Sequence, residues 1–109
     1  MSQAIFYTDD ISLVPDDAVA LRVGEICDKA TLLVALGQAC QFPTYYSLNW
    51  DSAYDCLTDS EVTALQISLA STDQIDNKDL SIFKTLIEDA YEQFGKPQLW
   101  IVSAKNLKI

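Results

Sequence analysis

Residues 62–102 read VTALQISLASTDQIDNKDLSIFKTLIEDAYEQFGKPQLWIV. Val62–Ala70 alternates: Leu65, Ile67 and Leu69 project one way, Gln66 and Ser68 the other, as in a strand with one dry face. Ser71–Asp76 is a polar link. Asp76 or Asn77 can cap a helix on which Leu80, Phe83, Ile87, Ala90 and Phe94 form a continuous apolar stripe. Gly95 stands where a helix stop takes a left-handed residue, and Pro97 forbids continuation. Leu99–Val102 is then a last short buried strand. A strand, a helix and a strand in this order pack as a parallel pair with a right-handed crossover.

The preceding chain extends the pattern. Ala18–Val23 (AVALRV) is a short apolar run ended by Gly24, and its length and valines favour a strand. Asp28 can cap a helix whose Leu32, Ala35, Leu36 and Ala39 share one face. Gln41-Phe42-Pro43 ends it, because the residue before proline leaves the α region. Asn49 can cap a second, short helix through Leu57. The order β, α, α, β, α, β predicts an α/β fold: a small, mostly parallel three-stranded sheet packed with helices. Ala4–Tyr7 is a possible extra N-terminal strand. The 109 residues make a single domain, with 1–17 as a variable N-terminal extension.

Composition narrows the function. Sixteen acids face seven bases, a net charge of −9. Nucleic acid and anionic membranes are therefore poor partners, and a basic protein is a natural one. Acidity of this size also keeps a protein soluble. There is no histidine, so a Ser-His-Asp or Cys-His site cannot be built within one chain. The three glycines form no phosphate loop. No apolar run approaches the ~20 residues of a membrane helix. Met1-Ser2-Gln3 has neither a basic nor an apolar leader region, so no signal peptide is expected. Cys27, Cys40 and Cys56 are an odd set without CxxC spacing, which points to buried free thiols and a cytoplasmic location.

Phe42–Asp59, FPTYYSLNWDSAYDCLTD, carries the chemistry. On a helical wheel Trp50, Ala53, Cys56 and Leu57 face the core. Asp51, Asp55 and Thr58 face outward, and Tyr54 lies on the border. Tyr45 and Tyr46 stand in the loop that enters the helix. Asp51 and Asp55 repel each other at i, i+4, and Asp55 and Asp59 lie where the helix dipole opposes them. No lysine or arginine falls between Ala39 and Gln74. A merely solvated acidic face, a carboxylate acid–base pair and an interface hot spot are the competing explanations. An exposed pair without an apolar pocket speaks against acid–base work, and acids along one helix face make no metal cage.

The string Phe42-Pro43, Tyr45-Tyr46, Asn49-Trp50-Asp51 and Tyr54-Asp55-Cys56-Leu57 resembles the barstar family, and the element order from Val19 to Val102 follows it more loosely. The resemblance implies an inhibitor or immunity protein, not an enzyme, that blocks a basic ribonuclease toxin by placing carboxylates where substrate phosphate belongs. It implies no cofactor, metal, nucleic-acid, membrane or small-molecule partner. Asp55 falls on the family's key aspartate, Asp51 on a second that pairs with active-site cations, and Tyr45 on a tyrosine that stacks against a catalytic histidine. Asn49 matches an asparagine at the helix start. Asp89 aligns with an acid of the last helix, with Glu88 or Glu92 serving if the register slips. Tyr54 replaces the usual tryptophan, Ser47-Leu48 replaces a loop glycine, and the N-terminus is longer. An immunity protein against a non-ribonuclease toxin, an acidic protein-interaction domain and a weak carboxylate hydrolase are the alternatives.

Overall fold

A computed structural model describes residues 3–44, 46–70 and 72–103. Strands β1 (Ile5–Thr8), β2 (Val19–Leu21), β4 (Ala64–Ser68) and β6 (Gln98–Val102) form a parallel four-stranded sheet in the order β1-β6-β4-β2. Between them lie α1 (Lys29–Cys40), α2 (Trp50–Asp59) and α3 (Asn77–Phe94). The possible extra N-terminal strand is present, as the fourth strand of the sheet. It was the least legible element because its partner, β6, is at the far end of the chain. A second sheet pairs β3 (Ile26–Cys27) with β5 (Gln74–Ile75), inside what reads as a polar link. Two-residue strands are too short to show a period.

From β2 to β4 to β6 the chain steps one place across the sheet each time, in the same direction. Right-handed crossovers then put all three helices on one face. The register lines up the dry side: Val19, Leu65, Leu99 and Ile5 form one row, and Leu21, Ile67, Ile101 and Tyr7 the next. Leu65, Ile67, Leu99 and Ile101 are fully buried, and they meet Leu32, Leu36, Leu57, Phe83 and Ile87 from the helices. Each such side chain contributes ~1.5–3 kcal/mol on leaving water. On the other face Phe6 stacks on Trp100, with centroids 4.4 Å apart.

The helix ends follow the sequence. Asp28 makes a capping box with Thr31, whose N–H donates to Asp28 Oδ1 at 3.0 Å. Asp76 caps α3 by accepting from Asp79 N–H. Asp79 in turn accepts from Lys29 N–H at 2.9 Å, tying the starts of α1 and α3 together. Gly95 closes α3 with φ 76°, a left-handed value that favours glycine. Phe94, expected in the apolar stripe, is 55% exposed because it sits on the last turn, past the edge of the core.

Candidate functional site

The loop between α1 and α2 is fixed before it reaches the acids. Tyr46 Oη donates to the Leu33 carbonyl at 2.8 Å, and the ring meets Phe42 edge-on, with centroids 4.8 Å apart. Gly37 makes room for it: a Cβ there would lie 2.8 Å from Tyr46 Cε2. Burial, with smaller contributions from Cys56 and Cys40, pushes the Tyr46 phenol up to about 12. Tyr46 is thus a half-buried brace between loop and helix. Tyr45 lies outside the described residues.

Asn49 caps α2 by accepting from Ser52 N–H at 2.8 Å, and Ser52 Oγ accepts from Ser47 N–H at 3.0 Å. α2 then runs to Asp59, slightly longer than its sequence suggests. Ala53, Cys56 and Leu57 are buried, while Asp51, Asp55 and Asp59 are exposed and Tyr54 is half-buried. Thr58 faces outward only in part, and its hydroxyl donates to the Asp55 carbonyl at 3.0 Å. The helix has no basic residue in its last turn.

Trp50 departs from its expected place in the core. It is half-buried at the first turn of α2, where the helix overhangs the core edge and meets α3. There it helps form a groove of about 430 Å³. Trp50, Asp51 and Tyr54 line one wall, and Ser81, Ile82, Thr85, Leu86 and Asp89 the other. The structure therefore brings together Asp51, Tyr54 and Asp89 from two helices. Asp55, a turn further along α2, is outside this lining. Ile82 and Leu86 were missed in sequence because they flank the α3 stripe, although their spacing to Asp89 puts them on one side of the helix.

The groove combines the apolar side chains of Trp50, Ile82 and Leu86 with one carboxylate from each helix. Such a hollow accepts a long cationic side chain, with its stem along the rings and its head at the acids. Burial pushes the Cys27 and Cys40 thiols up to about 11, against nucleophilic use. Among the described residues no cluster of three or more potential metal ligands occurs, and no helix is long and apolar enough to cross a membrane.

A family model described as Barstar (barnase inhibitor) matches residues 17–102. No curated protein matches the chain. The matched span opens just before β2 and closes at the end of β6, leaving β1 outside. It contains the tyrosine loop, both helices of the groove and most of the sheet, and the chain belongs to the barstar family.

Proposed function

We propose that this chain is a cytoplasmic immunity protein that binds a basic ribonuclease toxin and blocks its active site with carboxylates. The observation that carries this reading is the convergence of Asp51 and Asp89 on an aromatic groove beside Asp55, on a helix with no basic residue in its last turn. A ribonuclease gathers cations around the scissile phosphate. Carboxylates held at phosphate-like positions satisfy those cations and exclude RNA. Complementary charge also steers encounter, up to ~10⁸–10⁹ M⁻¹s⁻¹ at low salt.

Asp55 is the central contact, Asp51 and Asp89 hold a second cation at the groove, and Tyr45 and Tyr54 supply rings. Tyr46, Asn49 and Thr58 position the others through the bonds described above. The test is inhibition of RNA cleavage by barnase and by any basic nuclease encoded beside the gene. Equimolar inhibition that fails in Asp55→Ala is the expected result. Tight binding to a toxin that cuts no RNA would move the target to another reaction, and inhibition untouched by Asp55→Ala would remove the assigned centre.

A further inference from the structure

The groove between α2 and α3 has a neighbour across α3. A hollow of about 910 Å³ lies between α3 and β1, with Tyr7, Lys84, Glu88, Tyr91 and Glu92 on its walls. Ser81 and Thr85 border both hollows, so one helical ridge divides them. Lys84 Nζ donates to Tyr7 Oη at 3.0 Å and sits 5.5 Å from that ring's centroid. Lys84 and Glu88 have the i, i+4 spacing at which an ion pair can form, in the less favoured order with lysine first. They make none: among the described residues the one ion pair is Lys96–Glu61. Tyr7, from a strand outside the family span, takes the Lys84 ammonium instead, and Glu88 and Glu92 stay exposed with no ion-pair partner among the described residues. Size points the same way. A helix as short as α2 is ~15 Å long, whereas a standard interface draws ~800 Å² from each partner. A footprint centred on α2 must spread, and α3 is the helix packed against it.

We propose that the hollow between α3 and β1 is a second contact surface for the same basic ribonuclease, with Glu88 and Glu92 meeting its cations and Tyr7 and Tyr91 giving it flat apolar contact. This rests on the function proposed above. The test compares Glu88→Gln/Glu92→Gln with Asp16→Asn/Glu25→Gln, which removes the same charge beside β2, at the opposite sheet edge. Both pairs are exposed, and equal melting temperatures check that neither unfolds the protein. The probe is the ribonuclease that wild type inhibits in the assay above. The Glu88→Gln/Glu92→Gln variant is expected to bind about fivefold more weakly, mainly through faster dissociation, and the control to change only the association rate. Lys84→Gln is expected to tighten binding. Equal losses from the two pairs would overturn this surface and leave the first groove standing. Failure of wild type to bind any basic ribonuclease would instead remove the underlying reading, and this surface with it.

Discussion

The aspartates that bond the first turns of α1 and α3 and those exposed on the faces of α2 and α3 differ in what they do for the fold. Asp28, Asp76 and Asp79 each accept a backbone N–H, and together they fasten the first turns of α1 and α3. Asp51, Asp55 and Asp89 are exposed, and no hydrogen bond from the described residues reaches their carboxylates. The same residue type is structural in one region; in the other, Asp55 opposes the helix dipole and Asp51 has only the dipole's favour in the first turn of α2. Acids kept where folding gains little from them support the interface proposed above.

Four experiments put that contrast to the test. The largest effect is expected from Asp55→Ala. Inhibition should weaken by ~30-fold or more, the level of an interface hot spot. Stability should hold or rise, because ~0.2–0.5 kcal/mol of repulsion with Asp51 is relieved. Strong destabilisation in a melt would place Asp55 with the structural acids.

Gly37→Ala tests the brace beneath the loop. Helix propensity alone favours alanine by ~1 kcal/mol. The new methyl would press on the Tyr46 ring at 2.8 Å, so a net loss of ~1–3 kcal/mol is expected in urea unfolding. A gain in stability would show that the ring moves freely. Asp28→Ala comes next: loss of the cap should cost ~1 kcal/mol and leave inhibition intact. A fall in inhibition without a fall in stability would erase the distinction between the two sets.

The smallest effect is a slope with pH. Cys27 and Cys40 are raised from 9.0 to about 11 by burial. The unfolded thiols therefore ionise first, so the unfolded state binds fewer protons above pH 9. Stability from these groups is complete below pH 9 and falls between pH 9 and 11. Tyr46, raised from 10.0 to about 12, extends the decline. A urea midpoint that stays flat from pH 8 to 11 would contradict the burial of these groups.

Much of this was legible in the chain. Asp28, Asn49, Gly95 and Pro97 punctuate the helices by local chemistry, and local chemistry can be read without knowing the partner. The alternation of Leu65, Ile67 and Leu69 marks a strand for the same reason. Trp50 was misplaced because a wheel shows direction and not where a short helix overhangs its support. The walls of the groove come from two helices separated in sequence, so Asp89 could be suggested by resemblance but not paired with Tyr54. The pairing of β1 with β6 was invisible for a similar reason.

That pairing has a kinetic side. It joins Ile5 to Leu99, nearly the full length of the chain, and non-local contacts of this kind close late and slowly. The stretch from β2 to β4, with the tyrosine loop and α2 inside it, needs far shorter closures. The α2 acids can therefore take their places while the first strand is still loose, and the same strand is the one expected to open first in the folded protein. A ribonuclease lying across it would slow that opening, and the amides of residues 5–8 would report its presence by exchanging later than in the free protein.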